Sequence, residues 1–370
     1  MEKKSLKNLF NHNYENKKVL ITGHTGFKGS WLTCWLKALG AKIMGFSKDI
    51  PTDPSLFETL KLKKEIDHII GDVRDHSTFL NTIRTFQPDY IFHFAAQSLV
   101  KRSYDKPNET MTTNIIGINN LLDTVRIVGE NCVVVIITSD KCYDNLELER
   151  GYHENDILGG KDPYSASKGA AELVVKGYYH SFFKAHDQIR VGTARAGNVI
   201  GGGDWAKDRI IPDCIRAWEK EEKVKIRCPH SIRPWQHVLE PLSGYLRLGQ
   251  QLSENNDLNG ESFNFGPQEQ NDHTVLELIE QMVKYYDTGN KIAYEITKEP
   301  FLYEAGLLKL NCMKAKEQLL WETNLNFEET SLFTARWYSN YKYVNVQDLT
   351  TKQIENYCKT AINKNLSWTK

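Results

Sequence analysis

The chain alternates short runs of β-branched and aromatic residues with longer stretches in which apolar positions recur every three or four residues. The short runs are Val19-Leu20-Ile21, Ile43-Met44-Gly45-Phe46, His68-Ile69-Ile70, Tyr90-Ile91-Phe92-His93-Phe94, Val133 to Thr138 and Ile189 to Ala194. Helical spacing occupies Trp31 to Leu39, Thr113 to Val128 and about Tyr164 to Lys184. Apolar runs of this kind suit strands covered on both faces, and a strand–helix–strand rhythm calls for parallel pairing. The expected fold class is therefore α/β, a doubly wound parallel sheet.

After Arg195 the texture changes. A Gly201-Gly202-Gly203 stretch opens a region of shorter elements punctuated by Pro212, Pro229, Pro234 and Trp235. This divides the chain into a sheet domain over 17–195, rejoined by a segment near 235–250, and a smaller α/β lobe over 196–234 and 251–341. A polar, helix-like tail of no evident role follows at 342–370. The length, 370 residues, accommodates two such units.

Charge and cysteine usage remove several classes of function. Lys plus Arg and Asp plus Glu both number 47, spread along the chain, so neither a duplex-binding face nor an acidic tail is expected, and nucleic acid is not a partner. The seven cysteines are scattered without a C-x-x-C pair or a histidine cluster, which predicts reduced thiols and no metal site. Residues 1–18 lack an apolar segment, and the longest apolar run, Val133 to Ile137, is too short to cross a bilayer; a cytoplasmic protein with no membrane partner is expected.

Two strings carry chemistry. Thr22-Gly23-His24-Thr25-Gly26-Phe27-Lys28-Gly29 follows a strand and opens the helix of Trp31, Trp35 and Leu36. Gly23 permits the tight turn, Gly26 lets backbone amides approach a pyrophosphate, and Gly29 lets helix and strand pack closely at a helix end that favours anions. Thr25 and Phe27 belong to the same cradle. This G-x-x-G-x-x-G spacing marks a Rossmann-type dinucleotide site rather than an ordinary glycine-rich turn. Asp72-Val73 is placed for the adenine amino group, or Asp72 simply caps the next helix. Ala95 and Ala96, before Gln97, keep a strand end slim beside a cofactor, and Asn114 is either a helix cap or a cofactor-side hydrogen bond.

The second string is Tyr164-Ser165-Ala166-Ser167-Lys168, which sets a phenol and an amine four residues apart on one helical face. A phenol of ordinary pKa about 10 must ionise to act as a base, and the ammonium of Lys168 together with a cationic nicotinamide ring is expected to draw that value down. The bland alternative is a surface Tyr-Lys pair; the glycine string upstream favours the catalytic reading.

Three longer strings add a resemblance: Thr138-Ser139-Asp140-Lys141-Cys142-Tyr143-Asp144, Arg195-Ala196-Gly197-Asn198-Val199-Ile200-Gly201-Gly202-Gly203-Asp204-Trp205, and Ser231-Ile232-Arg233-Pro234-Trp235-Gln236-His237-Val238. From about Lys17 to Tyr341 the chain resembles the extended short-chain dehydrogenase/reductase family, in particular its nucleotide-sugar 4,6-dehydratases. The resemblance implies bound NAD, CDP-D-glucose as substrate, loss of water to a 4-keto-6-deoxy sugar with no net redox, and a place in dideoxysugar and surface-polysaccharide synthesis. It implies that Ser139 polarises the sugar oxygen beside Tyr164, that Asp140 protonates the leaving hydroxyl on carbon 6, and that Lys141 takes the carbon-5 proton, where dTDP-sugar relatives carry a glutamate. It puts Asn198, Arg209 and Arg233 at the nucleotide diphosphate, with Gln97 and His237 as further substrate-side candidates; His237 reads equally well as a structural histidine.

Departures from the pattern are Tyr303-Glu304 where the family has His-Glu, Leu308-Lys309-Leu310-Asn311 where it ends in Asp, and Phe46-Ser47-Lys48-Asp49, which displaces the acid expected at the adenosine ribose and offers Lys48 to the 2′-phosphate of NADP, with NAD the preferred reading. Three readings stay open: a dehydratase with internal redox, an epimerase or dehydrogenase on the same fold, and a cofactor-binding regulator without turnover. The Asp140-Lys141 pair favours the first. Apolar residues on Asn114 to Val128 and Tyr164 to Phe183 point to a paired-helix homodimer face, or merely cover the sheet.

Overall fold

In the computed structural model the strand-forming runs assemble into one parallel sheet, and the structure describes residues 6–186, 188–267, 272–286, 294–297 and 307–370. Its strands are β1 (Lys18–Thr22), β2 (Lys42–Ser47), β3 (Asp67–Ile70), β4 (Tyr90–His93), β5 (Cys132–Ile137), β6 (Ile189–Ala196) and β7 (Ser262–Phe265). Their order is β7-β6-β5-β4-β1-β2-β3, all neighbours parallel. The order reverses between β1 and β4, and the crevice at that switch, beyond the carboxyl ends of the strands, is where such sheets bind ligands.

Each central strand feeds two cores. Val19, Ile21, Phe92, Val133 and Val135 pack on one face with Trp31, Trp35 and Leu246. Leu20, Ile91, Val134 and Ile136 pack on the other with Phe79, Leu121, Leu122 and Val175. The period of two is thus hidden inside runs that look uniformly apolar, because both faces are covered.

Helix ends follow local chemistry. The principal helices are α1 (Phe27–Ala38), α2 (His76–Phe86), α3 (Gly117–Val128), α4 (Pro163–Tyr178), α5 (Ile210–Glu219), α6 (Leu239–Glu254), α7 (Val275–Tyr285), α8 (Phe327–Asn340) and α9 (Val346–Asn363). The Asp75 carboxylate caps α2 through the amides of Ser77 and Thr78, and Asp162 caps α4 through that of Ser165, with Pro163 in the first turn. Before α3 the chain makes a wide turn of helix at Thr112–Ile116, so Asn114 sits inside a bulge and not at a helix start.

Two expectations about the chain's division change. The segment returning to the sheet domain runs past 250, because β7 pairs with β6 at Ser262–Phe265. The tail is built into the core: Trp368 is fully buried, stacked on Phe10 at 5.2 Å and Tyr357 at 5.9 Å, with Trp35 edge-on at 5.8 Å. The lobe contributes short ladders only, among them Gln236–His237 on Val199–Ile200 and Ile232–Arg233 on His273–Thr274. Tyr303 and Glu304 lie outside the described residues.

Candidate active site

The glycine string forms a cradle at the switch point. Gly23 has φ +75°, and a Cβ there would lie 2.8 Å from the Ala95 amide nitrogen; one on Gly29 would lie 2.3 Å from the Gly23 carbonyl oxygen. Those glycines exist for close backbone packing. A Cβ on Gly26 would touch only the Gly23 carbonyl, at 3.4 Å, so the space over the turn is open. The twelve-residue α1 starts at Gly26 with no side-chain cap, which leaves its first amides for an anion. An open cradle over an uncapped helix end fits a dinucleotide pyrophosphate.

Thr25 and Phe27 serve the loop instead of projecting from it. Thr25 Oγ1 donates to the Asp49 carbonyl at 2.7 Å, tying the glycine turn to the end of β2. Phe27 packs beside Gly201. Beneath them His24 bonds Ser47 Oγ at 2.9 Å and His68 Nδ1 at 2.7 Å, and burial lowers its pKa to about 3, so the imidazole is neutral.

At the adenosine end Asp72 is already engaged. The Arg74 guanidinium grips its carboxylate at 2.6–3.1 Å and holds it below the usual carboxylate range. Lys48 stands 3.9 Å from Asp72 and 3.7 Å from Glu109. The Asp72 carboxylate thus stands in an ion pair with Arg74. The Val73 carbonyl accepts from Asn120 at 3.0 Å, and the Ala95 amide from beside Ala96 reaches Thr22 Oγ1 at 3.2 Å.

Asn114 and Gln97 turn out to be a bracket. Asn114 Oδ1 accepts from the Gln97 amide at 2.8 Å, while its Nδ2 donates to the Gln97 carbonyl at 3.0 Å and to Ser167 Oγ at 2.8 Å. The Gln97 side chain is spent on Leu99 and Thr110. Neither amide is left for a ligand; together they fix the loop after β4 against α4.

The groups expected to react converge from the end of β5 and from α4. Ser139 caps the short turn Asp140–Cys142, accepting from the Lys141 amide at 3.3 Å, and its hydroxyl donates to Asp140 Oδ1 at 2.8 Å. The expected donation from Ser139 to a sugar oxygen is thus replaced by one to Asp140. Burial raises the pKa of Asp140, opposed by Lys141, Ser139, Lys28 and Arg233, which suits a carboxylic acid. Lys141 is half-buried beside it.

In the chain alone, burial outweighs the charge beside Tyr164. Lys168 Nζ lies 6.0 Å from the phenol ring centroid, and burial pushes the Tyr164 pKa up to about 12, only partly offset by Ser139 and Arg209. Burial likewise lowers Lys168 to about 8. In this dry site desolvation outweighs the neighbouring charge.

The lobe supplies the remaining candidates. Arg209 Nη1 is 2.9 Å from Asp204 Oδ2 and lies near Ser98, so its charge is shared with a carboxylate at the mouth of the site. Arg233 is buried, and its charge is felt by Asp140. The Asn198 carbonyl accepts from the Gln236 amide at 3.3 Å. His237 is fully buried between Trp31 and Phe333 with Nε2 unpartnered, and burial lowers it to about 3; it is a structural histidine.

Three groups escaped the sequence reading. Lys28, inside the glycine string, faces Asp140, Lys168 and Arg209, and burial lowers it to about 7; a cation at an apolar helix entry was its only signal. Tyr245 on α6 is fully buried with an unpartnered hydroxyl and Lys28 Nζ 6.0 Å from its ring centroid. Glu172, one turn after Lys168, is clamped by Arg195 at 2.9 Å and anchors α4 to the sheet.

The chain has relatives among known proteins. The chain is 48% identical over 329 residues to the CDP-glucose 4,6-dehydratase of Salmonella typhimurium, covering 88% of this chain and 91% of that protein. Among solved structures, the epimerase Mth375 of Methanothermobacter thermautotrophicus superposes with a TM-score of 0.80 at 24% identity, covering 95% of this chain and 99% of that one. The dTDP-glucose 4,6-dehydratase of Bacillus anthracis, solved in complex with NAD, gives 0.73 at 23% identity, covering 90% and 99%. At such identity these two likenesses are of fold. Residues 20–331 match the family described as GDP-mannose 4,6 dehydratase, and with its open phosphate cradle and its Tyr164, Lys168, Ser139 and Asp140 cluster the chain belongs to that family of extended short-chain dehydrogenases.

Proposed function

We propose that the protein is an NAD-dependent CDP-glucose 4,6-dehydratase, a hydro-lyase. The observation that carries this reading is the buried acid Asp140 with Lys141 next to it, facing Tyr164 across Ser139. Oxidation at carbon 4 alone needs only Tyr164 and Lys168; an additional acid and amine are what removal of water across carbons 5 and 6 requires. The 48% identity to a CDP-glucose dehydratase supports the choice of nucleotide.

Gly23, Gly26, Gly29 and the first turn of α1 would hold the pyrophosphate, with Asp72, Arg74 and Lys48 around the adenosine. When bound, the nicotinamide supplies a reversible hydride store, taken from carbon 4 and returned at carbon 6. Tyr164 Oη receives the carbon-4 hydroxyl proton. Lys141 Nζ takes the proton of carbon 5, acidified by the adjacent ketone, and Asp140 gives its proton to the departing carbon-6 hydroxyl, which leaves as water. Arg209 and Arg233 supply positive charge toward the substrate diphosphate.

Incubation with CDP-, dTDP-, GDP- and UDP-glucose, followed by mass, tests the substrate: the CDP sugar should lose one water with no net cofactor reduction. In Lys141→Met, carbon-4 oxidation should proceed and reduced cofactor should accumulate. Full turnover by that variant removes Lys141 from the reaction.

A homodimer through α3 and α4 is part of the same reading. Ile116, Ile127, Leu173 and Phe182 on and beside these helices are 44–58% exposed, an apolar face that pairing would bury. Leu173→Glu should then lower the sedimenting mass. Among the described residues no helix is long and apolar enough to cross a membrane.

A further inference from the structure

The Asp140 carboxyl has room only because a side chain is missing opposite it. Its Oδ1 accepts from Ser139 Oγ at 2.8 Å. Its other oxygen lies against Gly197, just after β6 ends: a Cβ on Gly197 would stand 2.1 Å from Asp140 Oδ2 and 2.8 Å from its Cγ. The backbone does not itself call for glycine here, since the Gly197 φ is not positive. What excludes a side chain is the carboxyl.

The strand end is too well held to yield in its place. On one side Ala196 pairs with Phe265 of β7, and on the other Val199 pairs with Gln236. Between them the buried Gln236 donates from Nε2 to the Gly197 carbonyl at 3.2 Å and to the Phe265 carbonyl at 2.9 Å, and from its amide to the Asn198 carbonyl at 3.3 Å. A methyl group on Gly197 would therefore push the carboxyl and leave the backbone. Restoring an ordinary contact moves Oδ2 by about 1 Å or more.

We infer that Gly197 is a positioning residue for the dehydration: the space it leaves seats the Asp140 carboxyl, Gln236 holds that seat in place, and the two together fix the point from which Asp140 reaches carbon 6. Carbon-4 oxidation draws on Tyr164 and Lys168 and does not need the seat. Gly197 thus acts on one half of the reaction through Asp140 alone.

The activity measurements rest on the dehydratase reading; a stability measurement does not. With the whole chain, NAD and CDP-glucose, Gly197→Ala should lower steady-state water loss, followed by product mass, by about a hundredfold in kcat with KM little changed, the usual consequence of a misplacement of about 1 Å. In a single turnover reduced nicotinamide, read by its absorbance, should form as fast as in wild type and then persist. On an Asp140→Ala background the same substitution should cost no further activity, because the nearest Asp140 atom left is Cβ at 3.5 Å. Wild-type turnover by Gly197→Ala, an equal loss of carbon-4 oxidation and water release, or a further loss on the Asp140→Ala background overturns the seat. Wild-type protein that leaves CDP-glucose unchanged overturns the dehydratase reading instead. The seat is then judged by urea midpoints: Gly197→Ala should lower the midpoint in wild type and by much less on the Asp140→Ala background, and equal shifts overturn it. Should Gly197→Ala fail to fold, the double variant must fold, and its failure overturns the seat too.

Discussion

Arg195→Met is expected to destabilise the fold by about 3 kcal/mol at pH 7 and by much less at pH 5. Glu172 on α4 and Arg195 on β6 are 2% and 3% exposed, joined at 2.9 Å through both Nε and Nη2. Three hydroxyls also donate to Glu172: Thr138 at 2.5 Å, Thr193 at 2.9 Å and Ser262 at 3.3 Å. Burial favours the protonated acid, but Arg195 and these donors prevail and hold Glu172 below the usual carboxylate range. Removing the cation strands a buried charge, for which losses of about 3–5 kcal/mol are usual, and the hydroxyls keep this case near the lower end. The stranded acid can escape by binding a proton, which from an ordinary pKa of about 4.3 costs roughly 3.7 kcal/mol at pH 7 and about 1 at pH 5. The deficit must therefore grow with pH. Urea midpoints for wild type, Arg195→Met and the double variant Glu172→Met/Arg195→Met, read by circular dichroism at both pH values, measure it. A deficit under about 1 kcal/mol at pH 7, the same deficit at pH 5, or a double variant no more stable than the single one refutes the reasoning.

Trp368→Ala should cost about 3–5 kcal/mol in the same denaturation assay, because it empties a fully buried site between Phe10, Trp35 and Tyr357. Glu240, fully buried and accepting from the amides of Asn324 and Leu325, has its pKa raised by burial to about 7. An acid raised on folding contributes stability that is lost as pH climbs from its unfolded value to its folded one. Glu240→Gln should accordingly gain on wild type by up to about 3 kcal/mol between pH 4.5 and 7; parallel stability curves would contradict this. Lys168, lowered by burial to about 8, is cationic below that pH and neutral above it. The pH profile of kcat/KM should bend downward near pH 8, and Lys168→Arg, whose guanidinium keeps its charge, should move that limb upward.

Six of the seven sheet strands were legible because each is a short apolar run rich in β-branched and aromatic residues. The seventh, Ser262-Phe263-Asn264-Phe265, alternates polar and apolar positions at the edge of the sheet and carries no such run, so its membership depended on tertiary pairing with β6. The tail's helix was legible but its burial was not, for a related reason. Ile354, Tyr357, Cys358 and Ala361 recur at helical spacing and are buried, yet the polar residues between them masked the stripe. In the site, the resemblance set Ser139 and Asp140 with Tyr164, helical spacing set Lys168 beside it, and the structure brings these side chains together. What neither could foretell was who spends a hydrogen bond on whom. Gln97 and Asn114 looked available because their partners Thr110 and Ser167 lie 13 and 53 residues away, whereas the Asp72–Arg74 pair is local.

Tyr164 is the most instructive residue, because it shows which force wins in the chain alone. Counting charges alone, an ammonium four residues away lowers a phenol's pKa; burial in the same pocket raises it to about 12 and takes Lys168 down to about 8. Asp140 moves up and Lys28 moves down to about 7 for the same reason. Every one of these groups is pushed toward its neutral form, so the pocket without ligands resists having charge in it. Such a pocket responds strongly to whatever charge a ligand brings, since the low dielectric that penalises isolated ions also strengthens each pairwise interaction. A cation entering beside Tyr164 and an anion entering beside Arg209 and Arg233 would therefore do more to order proton transfers than any resident side chain. On this account the fold's contribution is dryness and placement, and the timing of ionisation belongs to the bound molecules.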